Sequence, residues 1–335
     1  MSSTMILLTP LLVLVLVSLF GFVGCSSFSG VPAEPEQTEV DPDPKREPDP
    51  DPVTPPVPTP APPQTYQGLV TNTKGFEAFW PLDETSGNVA AVVGPLSPSA
   101  NGEYKSVTGN PPALGSYSLG KFGVKASPAN TLDFAAEFAA TEAFLEVPFV
   151  PSLNPTPMGI GFTIELWAKP DVNAGSDRGG LVSSHHFDSA SSQQGYEIGV
   201  LKVAGRAHQQ VYARVYGGAA ATISEISVQP DDIDGDPSDW RHIVLKYEFV
   251  AGTGYVLRLR VRILNGAKVY SKESTTPILY EQVTSAKSST LRFGGTHLPP
   301  PGTSALFAGQ LDNIAIYDAP VPDSDLDAHY SFTAS

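Results

Sequence analysis

From Tyr66 to Ser335 the strongest constraint on the chain is a period of two. In Tyr255–Leu264 (YVLRLRVRIL), Arg258, Arg260 and Arg262 alternate with Leu257, Leu259, Val261 and Ile263. A strand turns that spacing into one apolar and one charged face. The same alternation runs through Phe162–Lys169, Gln210–Tyr216, Thr222–Val228, Trp240–Phe249 and Leu306–Tyr317. Clusters of Gly, Pro, Asn, Asp and Ser separate these runs, and no long 3.6-residue period appears. The pattern predicts an all-β fold, a two-sheet antiparallel sandwich of roughly six or seven strands per sheet. Helix is expected only at Ser324–His329, with Asp323 as its cap. Asn265-Gly266 is expected to form a type I′ hairpin turn, and Pro155–Pro157 and Pro299–Pro301 to lie in loops.

The chain before Tyr66 has a different composition. Residues 1–30 carry no charge, and Met5–Val23 is almost wholly apolar. Phe22–Cys25 (FVGC) resembles a bacterial lipobox, in which small residues precede a cysteine that receives acyl chains. Cys25 is the only cysteine among 335 residues, so no internal disulfide can form. Residues 1–24 are therefore expected to be a signal peptide, and Cys25 a lipidated N-terminus. Two or more acyl chains anchor stably where one does not. Ser26, where an Asp would suggest inner-membrane retention, points to the outer membrane or cell surface of a bacterial envelope. Residues 31–65 hold thirteen prolines, eight acids and two basic residues. Such a stretch, counted with Cys25 as a linker over 25–65, cannot bury a core. It is expected to be disordered and extended at ~3.1 Å per residue. The formal net charge of −15 argues against nucleic acid as a partner.

Six motifs then carry a family resemblance. Phe79–Gly87 (FWPLDETSG) resembles the opening strand of laminin-G-like, concanavalin A-like jelly rolls, and Asn101–Tyr104 (NGEY) their second. Ala143–Pro155 with Phe162–Pro170, Asp239–Glu248, Leu259–Gly266 and Phe307–Tyr330 are similar to later framework segments, in family order. The resemblance implies a jelly roll over residues 66–335, and fold alone does not give function. Trp80, Trp167 and Trp240 fall inside these framework motifs and are expected to pack in the core rather than serve as sugar platforms.

The resemblance also implies a structural calcium ion, with Asp83 at the end of the first strand and Asp312 in the last as ligands. Calcium takes hard oxygen donors. Asp231–Asp239 (DDIDGDPSD) is a weaker second candidate through Asp232, Asp234 and Asp236. Its glycine is misplaced for an EF-hand loop, and a solvated hairpin tip is the plainer reading. His185-His186 are adjacent and best read as a loop rather than a shared metal site.

Glucanases of this fold place paired acids on alternate positions of one strand, and the chain contains no E-x-D-x-E or E-x-D-x-x-E. It has no H-E-x-x-H or G-x-S-x-G either. Recognition is the favoured function. Tyr212, Arg214 and Tyr216 share one strand face, as do Arg258, Arg260 and Arg262. If the two strands lay in one sheet, the acidic domain would present a Tyr/Arg face for an acidic glycan or a protein carboxylate. The plainer reading is a row of arginines paired to nearby acids. The sequence thus describes a lipid-anchored stalk presenting a non-catalytic module, whose partner is a carbohydrate or a surface or matrix protein. The alternatives are a polysaccharide hydrolase or lyase of the same fold, and a structural envelope component without ligand.

Overall fold

A computed structural model describes residues 65–107, 116–125, 133–139, 141–156, 159–174, 177–189, 192–218, 222–229, 236–266, 268–287, 289–297 and 305–334. Cys25, the linker to residue 64, Asp232, Asp234 and Pro299–Pro301 lie outside the described residues. The chain from Ala61 to Ser335 is one compact unit.

Two antiparallel sheets make up the fold. The first runs in the order β15 (Tyr270–Glu273), β14 (Gly254–Ile263), β13 (Arg241–Val250), β7 (Gly161–Pro170), β17 (Ala308–Tyr317), β5 (Phe134–Ala139) and β4 (Tyr117–Phe122), and β1 (Phe76–Trp80) also pairs with β17. The second runs β12 (Ile223–Val228), β11 (Gln210–Gly218), β10 (Ser192–Leu201), β8 (Arg178–Ser183), β16 (Leu291–Phe293), β6 (Ala143–Val147), β3 (Gly102–Ser106) and β2 (Val89–Ala90), with β9 (His186–Ser189) on β10. Among the described residues the sheets have eight and nine strands, more than the six or seven expected, because short strands such as β2 and β9 carry too few residues to show an alternation.

The period of two is realised as read. Phe162, Ile164, Leu166 and Ala168 of β7 point into the inter-sheet core with Trp80, Phe138, Tyr196, Leu257 and Phe293. Their neighbours Thr163, Glu165 and Trp167 point the other way and are equally buried, all at 0% exposure. The outer face of the eight-stranded sheet is roofed by two helices, α1 (Tyr66–Thr71) and α2 (Asp323–Ala334). Val70 and Leu326 from these helices close a small cluster over Phe79, Val244, Ala315 and Tyr317, and Tyr330 covers Trp167 and Trp240. The hydroxyl of Thr65 caps α1 by accepting from the Gly68 amide at 3.0 Å. Asp323 and Asp325 in the first turn of α2 suit its dipole. All three tryptophans are buried.

Three local expectations are corrected. The C-terminal helix is twelve residues long, not a single turn, and Asp323 is its first residue. Asn265 alone takes a left-handed φ of 62°, and the Gly266 amide donates to the Ile263 carbonyl. A turn with one left-handed residue in its third position meets the type II requirement, not the type I′ one. The strands on either side of the acidic stretch 231–239, β12 and β13, lie in different sheets and so do not form the hairpin expected there; residues 231–235 lie outside the described residues.

Candidate functional site

The two strands expected to build a Tyr/Arg face lie in different sheets. β14 belongs to the eight-stranded sheet and β11 to the nine-stranded one. Identical alternation says which residues share a strand face, but not which sheet the strand joins. On β14, Arg258 pairs with Glu248 (2.5 Å) and Glu273 (2.7 Å). Arg260 bonds Asp327 of α2 and lies 3.9 Å from Asp323. Arg262 reaches Asp327 at 3.4 Å and stacks over the Tyr330 ring at 3.7 Å. Arg260 and Arg262 thus fasten the C-terminal helix to its sheet, and Arg258 ties β14 to its two neighbouring strands.

Across the nine-stranded sheet, on the face opposite the core, runs one row of cross-strand neighbours: Glu225, Arg214, Glu197, Ser183, Arg292 and Glu146. Opposite charges directly across strands attract. Glu197 is fully buried at its centre. It accepts from Arg178 at 2.6 Å, the Tyr212 hydroxyl at 2.6 Å and the Tyr216 hydroxyl at 3.1 Å. Burial, then the Glu197 charge, push both tyrosine hydroxyls up, so they stay protonated and donate. Arg214 bonds Glu225 and lies over the Tyr212 ring. At the other end Glu146 accepts from Lys105 (2.8 Å), Thr290 (2.8 Å) and Arg292 (3.4 Å). Tyr212 and Tyr216 thus brace a buried carboxylate. Arg178, Arg214 and Arg292 keep only 20–28% of their side chains in solvent. His185 stacks on Tyr216, with its two ring nitrogens against the His297 carbonyl and Gln193.

A second buried carboxylate lies under the helices. Glu165 accepts from His242 Nε2 (2.7 Å), His329 Nδ1 (2.9 Å), Tyr317 (2.9 Å) and Tyr66 (3.2 Å). Thr73 gives its only hydroxyl proton to the Leu69 carbonyl (3.0 Å), so its oxygen accepts from His329 Nε2 (3.1 Å). Both ring nitrogens of His329 therefore face acceptors, the arrangement that suits an imidazolium. Burial opposes that charge, and the hydrogen bond and charge of Glu165 outweigh it, so its pKa lies above the ordinary value. Burial likewise opposes the Glu165 anion, and the hydrogen bonds from His242 and His329 hold its carboxyl well below the usual carboxylate range.

Asp83 and Asp312 do come near one another, and the structure adds Asp133. Burial and then the charges of Asp133 and Asp83 raise the Asp312 carboxyl. Asp312 is fully buried; Oδ2 accepts from the Val124 amide at 2.8 Å and Oδ1 meets no partner. A Cβ on Gly123 would strike both the Asp133 and Asp312 carboxylates and the Phe134 carbonyl. Asp83 turns Oδ1 to the Phe134 amide at 2.8 Å. Among the described residues no three acidic, His or Cys side chains converge as a metal cage. The orphaned Asp312 Oδ1 and the Asp133 carboxylate, whose charge acts on Asp312, are oxygen donors of the kind a hard divalent cation takes. Asp236 is instead tied to Ser238, accepting from both its amide and its hydroxyl.

A cleft of about 770 Å³ opens at one end of the eight-stranded sheet, between the turn after β7 and the β4–β5 edge. Its floor includes Lys169, Gln310, Glu137 and Ser118, successive neighbours across β7, β17, β5 and β4.

Glu197, Arg178, Asp133 and this cleft escaped the sequence reading. The signal available for Glu197 was a lone acid inside the apolar run Tyr196–Val200, the same signal Glu165 gives in Phe162–Lys169.

A family model described as the concanavalin A-like lectin/glucanases superfamily, of the laminin G group, matches residues 146–326. The match covers more than half of the chain, and the protein belongs to that family. No curated protein matches the chain. Among solved structures, the enzymatically active domain of tailspike protein 2 of bacteriophage CBA120 is similar at 11% identity and TM-score 0.44, over 64% of this chain and 28% of that one. The binding domain of botulinum neurotoxin serotype D/C is similar at 12% identity and TM-score 0.45, over 79% of this chain and 53% of that one. That of botulinum neurotoxin DC in complex with rat synaptotagmin II gives 10% and 0.46, over 79% and 52%. The chain spans between 28% and 53% of the length of these structures.

Proposed function

We propose that this protein is a lipid-anchored recognition protein of a bacterial envelope, displayed at the outer membrane or cell surface. In this reading Cys25 carries the acyl chains, the proline- and acid-rich segment up to residue 65 is the spacer, and the jelly roll from Tyr66 binds carbohydrate without turning it over. The observation that supports binding over turnover is the state of Glu197. A glycosidase needs one carboxyl that carries a proton at working pH and a second carboxylate ~5–9.5 Å away. Glu197 sits centrally on its sheet but is fully buried, and both its oxygens are taken up by a guanidinium and two phenols, so neither is presented to a substrate. At Glu165 and Glu146 burial opposes the anion, and their hydrogen-bond donors outweigh it and hold both carboxyls below the ordinary range. The superfamily description names glucanases beside lectins, so a polysaccharide hydrolase or lyase is the second reading.

The recognition reading is tested by titrating the full chain against an array of neutral and uronic-acid oligosaccharides. Saturable binding to a defined subset is expected, and a blank array refutes the carbohydrate assignment. Mass spectrometry of the mature N-terminus tests the anchor. An acylated Cys25 is expected, and an intact Met1 would contradict it. Asp312 and Asp133, with Asp83 beside them, would hold a calcium ion with a structural role, discharging a carboxylate cluster that burial otherwise strains.

A further inference from the structure

We infer that the cleft at the end of the eight-stranded sheet is the carbohydrate site, and that its ligand class is a neutral, polyhydroxylated saccharide. This rests on the recognition reading above and assigns it a place and a chemistry. The volume, about 770 Å³, falls within the ~300–1,000 Å³ typical of ligand sites. The floor is one straight row. Lys169 neighbours Gln310 across β7 and β17, Gln310 neighbours Glu137 across β17 and β5, and Glu137 neighbours Ser118 across β5 and β4. Adjacent strands lie ~4.8 Å apart, so the row presents polar groups at regular steps over ~14 Å. Asn173 and Asp171 stand on the turn that forms one wall.

The charge and valence of this row select the ligand. Lys169 makes no ion pair or hydrogen bond among the described residues, so its three N–H groups are available. Gln310 spends one N–H on Glu137 at 3.4 Å, which leaves its carbonyl oxygen and its second N–H. Asn173 offers an amide with both functions. Glu137, already paired with Lys121 at 2.9 Å, and Asp171 bring acceptors. A sugar hydroxyl both donates and accepts, and a series of hydroxyls at regular steps matches an alternation of donors and acceptors. Glu137 and Asp171 are balanced by Lys121 and Lys169, so the cleft carries no net charge to draw an anionic ligand. An apolar ligand would bury the whole row without hydrogen bonds, at a cost for each group. On the opposite sheet the central groups Glu197, Arg178, Tyr212 and Tyr216 are bonded to one another.

The test uses the full chain and its Lys169→Ala, Gln310→Ala and Asn173→Ala variants on the same array, followed by calorimetry with the strongest neutral oligosaccharide. Lys169 and Gln310 are half-buried, Asn173 is exposed, and none belongs to a core cluster, so Tm is expected to be unchanged. Each variant is expected to weaken binding by about tenfold, the loss of one or two hydrogen bonds. Parent-level binding by all three overturns the site while leaving carbohydrate recognition standing. Exclusive binding of uronic-acid oligosaccharides by the parent overturns the neutral class. A blank array for the parent removes both the site and the reading on which it rests.

Discussion

Replacing Glu165 by Gln tests whether the buried ion pair with His329 holds the terminal helices to the sheet. The substitution keeps shape and removes charge. Glu165 is fully buried and accepts from four donors contributed by β13, β17, α1 and α2. A glutamine has one acceptor oxygen, and its amide would point N–H groups at N–H and O–H donors. Breaking one side of a buried pair costs ~3–5 kcal/mol. For a domain of this size each kcal/mol lowers Tm by ~2–4 °C, so a fall of ~6–20 °C is expected by calorimetry. The pH dependence has a fixed sign. The depressed Glu165 carboxyl contributes stability that is complete above its ordinary value of 4.5 and is lost as pH falls through the folded value. The raised His329 contributes stability that is complete below 6.5 and is lost as pH rises through its folded value. The parent should therefore be most stable between these limbs, and Glu165→Gln should flatten both. Coupling of ~1–3 kcal/mol is expected in a double-mutant cycle with His329→Gln. A Tm within about 2 °C of the parent, or additive single effects, would refute the ion pair.

The remaining predictions concern the two candidate sites read from sequence. Replacing Arg258, Arg260 and Arg262 together by Ser removes helix-fastening pairs. It should lower stability by roughly 1–3 kcal/mol and leave glycan binding unchanged; lost binding with an intact fold would restore β14 as a ligand surface. Calcium at a hundred times its Kd should stabilise by ~2.7 kcal/mol, and a chelator should reverse this. The Asp312 carboxyl is raised, so between its ordinary and folded values the folded state holds the extra proton and stability falls as pH rises. Chelated protein should therefore lose more Tm than calcium-loaded protein when the pH is raised from 5 to 8, the loss common to both being that of His329. Gly123→Ala, whose Cβ would strike both carboxylates, should abolish the calcium effect. A Tm indifferent to calcium at pH 8 would contradict the site.

The layers were legible because burial of one strand face imposes a period of two, and β7, β13 and β14 display it plainly. What covers the other face was not. Glu165 and Trp167 occupy the outward positions of β7, and their burial depends on helices almost 100 residues before and over 150 residues after them. No local rule connects Phe162–Lys169 to Tyr66 or to His329. Assignment of β11 and β14 to different sheets was hidden for a related reason, since a strand's alternation is the same in either sheet. The Asp83–Asp312 approach was visible through the family resemblance. Asp133 lies between motifs, and the cleft is assembled from β4 and β5, outside every motif, and from β7 and β17, whose motifs do not tell that Lys169 and Gln310 are neighbours. Tyr212 and Tyr216 were read as exposed because both alternate with apolar residues. The lone acid Glu197 one strand away is what draws their hydroxyls inward.

The central claim is that this lectin/glucanase-superfamily domain recognises a glycan and leaves it whole. Incubating the full chain with the oligosaccharide it binds best, and following reducing ends and unsaturated products over many hours, addresses it directly. Saturable binding with an unchanged oligosaccharide is the expected result. New reducing ends or unsaturated termini, increasing with protein concentration, would contradict it.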